Sequence, residues 1–366
     1  MINRMVVANL RRRPMRSLVS VTAVAIEVVL ILMIVGLTEG MIHDQRSRVN
    51  GIGADVVVRS GNGSMFAELT GNTLPLAEAA VFARQPGVEA VAPMSFHVSN
   101  GISAVGGIDP ASFDAVSGGF RFLAGRMFAP GSHEAIEDDL QAAAGRDHVG
   151  QTLDMMGQKF RLVGIFEHGM GSRVFIDLGV LNGLAGSPGK AAMFFIKTRP
   201  GVSKLSVVNE LKALVPADTV QSIDQYLSLF TAREISPALP IFQTVMVGIA
   251  VAIGFLVIFL SLYTTVLERT REIGILKSLG ASRGYIVRVI LRESELLAGS
   301  GAAVGIVGAF LLWRTLEHLF PTLSMEMTWT WVGISLAIAM VSSAIGALYP
   351  AYRAAGQDAI AALAYE

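Results

Sequence analysis

The stretch Ser17–Thr38, SLVSVTAVAIEVVLILMIVGLT, contains a single charged residue, Glu27. A helix needs about 20 apolar residues to cross the hydrocarbon core of a bilayer. The stretch is therefore predicted to be a membrane-spanning helix. A cleaved signal peptide is the alternative, but the apolar run is long for one and no A-x-A cleavage site follows it.

Three further windows of similar character follow residue 240. The window at about Leu296–Trp313 is short, so its helix is expected to begin earlier. Trp329 and Trp331 open the fourth window, and Tyr349 and Tyr352 close it, as is typical of residues at a membrane interface. Only 16% of all residues are charged, against about 25% in soluble domains. The predicted spans are 17–40, 241–267, 292–314 and 327–352.

Basic residues predict the direction of these spans. Several arginines precede the first span, and the segment between the second and third is rich in arginine and lysine. The loop from Arg314 to Glu326 has one basic and two acidic residues. Since short cytoplasmic loops carry the excess of Lys and Arg, both termini and the segment 268–291 are predicted to be cytoplasmic. Residues 41–240 then form an extracytoplasmic domain, and 315–326 an outer loop.

The domain at 41–240 alternates short β and α patterns, with a second, β-rich region at about 110–190. We expect an α+β fold of two β-α-β-like halves with a β-rich insertion. A capping box at Ser222 and Gln225 predicts a helix that runs toward the second span. The predicted strands are Ala54–Arg59, Val88–Val98, Ile102–Ile108 (after a turn at Asn100-Gly101), Thr152–Met156, Lys159–Phe166, Arg173–Asp177, Ala192–Lys197 and Thr219–Ser222. The predicted helices are Leu76–Arg84 and Ser203–Leu214.

Several classes of function are disfavoured by the composition. The net charge is zero, so no basic excess exists to neutralise nucleic-acid phosphates. Cysteine is absent, which excludes a thiol nucleophile and Cys-based metal ligation. The histidines lack metal-ligand spacing, and the acidic run at 137–139 is expected to be a solvated face. Neither a G-x-S-x-G elbow nor a G-x-x-x-x-G-K-[ST] loop occurs, so we expect neither an enzyme nor a P-loop ATP site in this chain.

The cytoplasmic segment Glu268–Leu291, ERTREIGILKSLGASRGYIVRVIL, carries the most specific pattern. Together with the C-terminal stretch from Tyr349 to Glu366, it resembles the FtsX-like, MacB-type permeases, the transmembrane subunits of type VII ABC systems. Weaker similarity lies in Gly107–Pro110, in Gly125-Arg126 and in Val163–Phe166 of the outer domain. The four-span layout with a domain after the first span is also similar to that family.

The resemblance implies a permease of the bacterial cytoplasmic (inner) membrane that works with a separate ATPase dimer, which would bind ATP and Mg²⁺. It also implies a second permease copy and a periplasmic adaptor, as in the DevC-like branch, and efflux of a small or amphipathic substrate. An FtsX-like regulator of a cell-wall hydrolase and a lipoprotein-releasing permease are the alternatives. The implied ATPase-coupling residues are Glu268, Arg271, Glu272, Ile273, Gly274, Ile275, Leu276, Lys277, Leu279 and Gly280.

The coupling segment has amphipathic spacing at its start, with Arg271 in reach of Glu268 at i,i+3. A break is expected at Gly280 and Ser282, before the third span. An ordinary basic loop on anionic lipid is the alternative for this segment. Residues 1–16 are predicted to be an amphipathic helix on the cytoplasmic face, with a disordered basic tail as the alternative, and 353–366 a cytoplasmic tail.

Glu27 stands out because a carboxylate near mid-bilayer costs a few kcal/mol. It is predicted to contact substrate or protons at the permease dimer interface. The alternatives are that it pairs with a polar group on a neighbouring span, such as Thr264 or Ser261, or that it lies shallower in the membrane. Small residues on the third and fourth spans are predicted to let helices approach closely. They are Gly301, Gly305, Gly308, Ser342 and Gly346.

Overall fold

The computed structural model describes residues 14–61, 73–99, 103–231 and 238–357. They form two compact units, one with residues up to 40, 238–316 and those from 325 on, the other with 41–237 and 317–324. Outside the described residues lie three predicted features: the N-terminal helix up to residue 13, the turn at Asn100-Gly101, and the C-terminal motif beyond Gln357.

The described helices, in chain order, are α1 (Pro14–Gly51), α2 (Glu78–Ala83), α3 (Pro110–Ser117), α4 (Asp139–Gly145), α5 (Leu178–Leu184), α6 (Lys204–Leu214), α7 (Ile223–Ser228), α8 (Ala238–Glu268), α9 (Thr270–Ser278), α10 (Arg283–Leu319) and α11 (Trp329–Gly356). Among the described residues, α1, α8, α10 and α11 are long and apolar enough to cross a membrane. The predicted class of four spans plus an outer α+β domain is confirmed.

Two of the long helices extend well beyond their predicted spans. Helix α10 begins at Arg283, because Ile286, Val289 and Ile290 recur at helical spacing and are buried before the uncharged window starts. Helix α1 continues to Gly51, and its last turns bury apolar side chains in the core of the outer domain. A stretch without charged residues indicates which part of a helix can cross lipid, but it does not indicate where that helix begins or ends.

The described strands are β1 (Val56–Ser60), β2 (Leu74–Pro75), β3 (Val88–Ser99), β4 (Ser103–Ile108), β5 (Phe122–Gly125), β6 (Glu134–Asp138), β7 (Thr152–Met155), β8 (Gln158–Phe166), β9 (Val174–Asp177), β10 (Lys190–Ala191), β11 (Met193–Thr198) and β12 (Asp218–Ser222). Ten of them form one sheet in the order β12-β1-β11-β3-β4-β9-β6-β8-β5, with β7 on β8, and β2 pairs β10 separately. The region at 110–190 therefore continues the main sheet through the parallel pair β4–β9.

Helices cover both faces of this sheet, which is why β1 can carry three consecutive buried valines. Val57 faces a core that contains Phe113 of α3 and Tyr226 of α7. Val56 and Val58 face a second core, which contains Phe82, Phe194, Ile196, Val207 and Leu211.

Three strands are followed directly by a helix whose N-cap is an aspartate, which lies at the end of the strand or one residue after it. Asp109 accepts a hydrogen bond from the Ser112 amide at 3.0 Å, and Asp138 and Asp177 cap α4 and α5 in the same way. A carboxylate at the N-cap satisfies an amide that has no helical partner. Helices α3, α4 and α5 and strands β5 and β6 were not predicted. The predicted capping box of α7 is confirmed, but α7 ends at Ser228 and is shorter than expected.

Arg173 joins three segments of the outer domain. Its Nη1 lies 3.2 Å from Asp138 Oδ2 at the end of β6, and its Nη2 lies 3.2 Å from Asp44 Oδ2 on α1. Nη2 also donates to the carbonyl of Thr322 at 3.2 Å. Asp44 pairs in addition with Arg48 at 2.6 Å. This largely buried network fixes the end of α1 to the sheet and to the segment 317–324.

The acidic run at 137–139 is not the solvated face that we expected. Glu137 and Asp138 are each 1% exposed, because β6 lies between β9 and β8 within the sheet. Asp138 is satisfied by Arg173 and by the Gln141 amide. Glu137 Oε1 is buried without a hydrogen-bond partner in the described part of the chain. Burial, with a smaller contribution from Asp147 and Asp138, raises the pKa of Glu137 to about 8.

We expect Glu137→Gln to stabilise the protein increasingly between pH 4.5 and 8. Unfolding restores an ordinary pKa near 4.5, so the unfolded chain loses this proton first. The stability linked to protonated Glu137 is therefore complete below pH 4.5 and is lost as the pH rises through about 8. Each pH unit in this window costs at most about 1.4 kcal/mol, which glutamine avoids.

Thermal unfolding of the full chain in detergent measures this effect. The melting temperature of Glu137→Gln minus that of wild type should grow by several degrees over the window. Glu89→Gln, at an exposed position of β3, is the matched control and should give a constant difference. A constant difference for Glu137→Gln would refute the prediction.

Candidate functional site

The predicted coupling segment forms a short helix between two long ones. Helix α8 ends at Glu268, and Arg269 leaves helical geometry, with φ −107° and ψ 14°. Helix α9 begins at Thr270, directly after Arg269. The Thr270 hydroxyl donates to the carbonyls of Val266 and Leu267 and so satisfies oxygens that the ending helix leaves without amide partners.

Helix α9 ends where the sequence predicted a break. Gly280 has φ +92°, and its amide donates to the Lys277 carbonyl while that of Ala281 donates to the Leu276 carbonyl. This pair of bonds is a Schellman motif, which favours glycine in the left-handed conformation. Ser282 then accepts a hydrogen bond from the Tyr285 amide at 3.2 Å and caps α10.

One face of α9 is fixed to the helical unit. Ile273 is 9% exposed and belongs to the cluster that includes Ile286 and Ile290 of α10, and Gly274 is buried beside it. The Lys277 ammonium donates to the carbonyls of Ala355 and Gln357 at the end of α11. Two helices that are far apart in sequence are thus joined at one end of the bundle.

The opposite face of α9 remains open. Arg271, Glu272, Ile275, Ser278, Leu279 and Gly280 are exposed, and Leu276 is half-buried. Ile275 is 45% exposed and Leu279 is 79% exposed. With Arg271 they form a row at i, i+4 and i+8, which lies on one side of a helix. We call Arg271, Ile275 and Leu279 the outer face of α9.

The ion pairs around α9 differ from those expected. Glu268 does not pair with Arg271 but with Arg16 at the start of α1, at 2.6 Å. Arg269 pairs with Glu272 at 2.8 Å and approaches the buried Glu293 of α10 at 3.7 Å. The break at Arg269 turns Glu268 toward α1 and lets Arg269 reach α10, while the pair of Arg269 with Glu272 keeps the i,i+3 spacing.

A groove lies between the end of α8, α9 and the start of α10. Its walls are mostly apolar, and Arg269, Glu272 and Glu293 form its polar part. Sequence reasoning missed Arg16, Arg269 and Glu293. Glu293 was detectable, since it is an acidic residue inside the predicted third span and therefore needed a partner.

Glu27 lies in the interior of the bundle and is 1% exposed. Its Oε1 accepts a hydrogen bond from Ser342 of α11 at 3.2 Å, and its Oε2 is buried without a partner in the described residues. Glu27 therefore bonds a polar group on a neighbouring span, as one alternative predicted, but not either of the two residues given as examples. Ser261 bonds Ser20 at 2.8 Å, and Thr264 bonds the carbonyls of its own helix.

The small residues of α10 and α11 lie at close helix crossings. A Cβ on Gly301 would lie 2.6 Å from Val24 Cβ, and one on Gly305 would lie 2.7 Å from the Ala25 carbonyl oxygen, both on α1. Gly346 lies against the backbone of Phe255 on α8. Gly308 is less constrained, since its added Cβ would meet only a Val29 methyl at 3.6 Å.

Comparison with known families agrees with these features. Residues 17–214 match the MacB-like periplasmic core domain, and residues 244–359 match the FtsX-like permease C-terminal domain. The first match alone spans more than half of the chain. The protein therefore belongs to the FtsX-like, MacB-type permease family.

Two relatives that match more than half of this chain are 26% and 27% identical to it. The macrolide export ATP-binding/permease protein MacB of Sodalis glossinidius is 26% identical over 96% of this chain and 58% of its own length. An uncharacterized ABC transporter permease of Methanocaldococcus jannaschii is 27% identical over 53% of this chain and 50% of its own. The chain thus spans between half and three fifths of the length of these relatives. The periplasmic region of MacB from Actinobacillus actinomycetemcomitans is 17% identical, with a TM-score of 0.37, and covers 49% of this chain and 93% of that structure.

The position of Glu27 predicts a specific coupling with Gly254 of α8. A Cβ at Gly254 would overlap the Glu27 carboxylate, so we expect Gly254→Ala to destabilise the wild-type protein by about 1–3 kcal/mol. In a Glu27→Ala background the overlap is gone, and the same substitution should be tolerated.

Thermal unfolding of the four proteins of this double-mutant cycle in detergent measures the coupling. Gly248→Ala is the control, because it lies on the same helix and its added Cβ would meet no atom within 4 Å. An equal loss for Gly254→Ala in both backgrounds would contradict the geometry.

Proposed function

We propose that this protein is the permease of an ABC exporter-type complex, in which α9 receives the motion of a separate ATPase dimer. ATP and Mg²⁺ would be bound by that partner. The observation that carries the proposal is the division of α9 into an anchored face and an open face. A helix that transmits force needs a surface for the moving partner and a fixed connection to the helices that it must move.

Three such connections lie on α9 or directly before it. Lys277 links it to α11, and Arg269 reaches Glu293 on α10. The adjacent Glu268 is held by Arg16 of α1. Since packed helices are not continuously deformable, a displacement of α9 would be shared by all of these helices.

The motion would then reach the outer domain through the first and second spans. Helix α1 supports this step because it runs without a break from Pro14 to Gly51, and Arg173 holds its last turns to the sheet through Asp44. Movement of the outer domain would expel a small or amphipathic substrate. With both termini and α9 on the cytoplasmic side, a second permease copy and a periplasmic adaptor would complete the assembly.

The outer face of α9 supplies the direct test. We expect Leu279→Asp to abolish most stimulation of the partner ATPase by the permease, because a carboxylate would replace the most exposed apolar side chain of that face. The measurement is ATP hydrolysis by the complex reconstituted in lipid, with co-purification of the two subunits as a second readout.

Leu205→Asp is the matched control, because Leu205 is a leucine of the outer domain that is 59% exposed. It should leave stimulation unchanged. Wild-type stimulation in Leu279→Asp, in a protein that elutes normally in gel filtration, would refute the assignment of this face.

Charge reversal of Arg271 and Glu272 is a second test of the same segment. The double variant should uncouple ATP hydrolysis while the protein stays folded in the membrane. The structure separates the two charges, because Glu272 pairs with Arg269 within the chain whereas Arg271 belongs to the outer face. Arg271→Glu alone should therefore cause most of the loss of coupling. A loss of coupling seen only with Glu272→Lys would instead indicate that the pair of Glu272 with Arg269 within the permease is what matters.

A further inference from the structure

A row of aromatic side chains lies on the surface of the helical unit where α8 and α11 meet. Phe255, Phe259 and Tyr263 follow one another at i,i+4 along α8, with ring centroids 6.1 and 5.9 Å apart. Tyr349 of α11 adds a fourth ring, 5.9 Å from Phe259 and 6.4 Å from Tyr263. The three rings of α8 are half-buried, and Tyr349 is 56% exposed. We call these four residues the aromatic row.

Arg353 closes one end of the aromatic row. Its guanidinium carbon lies 5.0 Å from the centroid of the Tyr263 ring, and its Nη1 donates to the Tyr263 hydroxyl. No carboxylate of the described residues lies within ion-pair distance of this exposed guanidinium. The cation–π contact therefore holds the group in place without neutralising its charge.

The position of Arg353 suits a lipid headgroup. It stands in the last turn of α11, at the same end of the bundle as Glu268, since α8 and α11 run parallel, with Gly346 beside Phe255 and Arg353 beside Tyr263. From Tyr263 to Phe255 the row extends about 12 Å along α8, at 1.5 Å per residue, into the apolar part of the bundle. One fixed cation followed by an apolar surface has the polarity of a phospholipid with an anionic headgroup.

We propose that this face binds one anionic phospholipid. Its headgroup phosphate pairs with the planar donor fork of Arg353, which matches phosphate geometry, and an acyl chain lies on the aromatic row. Basic pockets between membrane helices recognise anionic headgroups in this manner. The binding requires neither ATP nor a transported substrate, so it is independent of the coupling role of α9.

Native mass spectrometry of the full chain in a neutral detergent tests the proposal, with phosphatidylglycerol as the probe and phosphatidylcholine as the zwitterionic comparison. Wild type should retain phosphatidylglycerol preferentially. Arg353→Gln should lower the apparent affinity for it roughly fivefold and lower that for phosphatidylcholine less, because the choline ammonium already offsets the charge of the phosphate in that lipid. Arg353→Lys and Tyr263→Phe should give smaller losses, because the first keeps the charge without the fork and the second keeps the ring without the hydroxyl.

Arg288→Gln is the matched control, since Arg288 is an exposed arginine of α10 away from the aromatic row. It should bind both lipids as wild type does. Equal retention of the two lipids by wild type would mean non-selective contact with the bilayer and would overturn the proposal. The same conclusion would follow if Arg353→Gln kept the preference, or if it changed the proportion of dimer without changing lipid retention, which would assign this face to a second copy of the chain.

Discussion

The close approach of α10 to α1 is the contact on which the helical unit depends. At Gly301 and Gly305 the space for a side chain is occupied by atoms of α1, including the carbonyl oxygens of Val21 and Ala25. In a bilayer there is little hydrophobic gain from bringing helices together, so association relies on dense packing and on interhelical hydrogen bonds. Glycine provides the first of these by removing the side chains that would hold the helices apart.

Helix α1 also meets α8 and α11, and polar groups along it bond to these two helices. Ser20 bonds Ser261 of α8, Glu27 bonds Ser342 of α11, and at the end of the helix Arg16 bonds Thr265 and Glu268. Each bond requires backbones close enough for short side chains to meet. Their order also shows that α1 and α8 are antiparallel, since residues 16, 20 and 27 face residues 265, 261 and 254 in turn. The alternation of spans that loop charges predicted follows here from side-chain pairing.

Features set by local sequence were predictable, and features set by distant partners were not. The apolar windows, the break at Gly280 and the capping box at Ser222 each depend on residues within a few positions. The partner of Glu27 lies 315 residues away, and other polar residues of the spans, such as Ser261 and Thr264, fit the same description by sequence. The prediction that the acidic run at 137–139 forms a solvated face was wrong for a related reason. Its burial depends on β9 and β8 flanking β6 in the sheet, and Asp138 finds its counter-charge on Arg173, which no period of two or 3.6 residues reveals.

Two charged networks among the described residues have one property in common. Around α9, Arg16, Arg269 and Lys277 connect the coupling segment to α1, α10 and α11, and in the outer domain Arg173 connects α1, the sheet and the segment 317–324. In both places a long cationic side chain reaches across elements that apolar contacts alone would leave free to slide. The pair of Arg173 with Asp138 in the outer domain is buried, and removing one partner of a buried pair costs far more than the pair contributes as a whole. The end of α1 that Arg173 holds through Asp44 therefore resists sliding along the sheet.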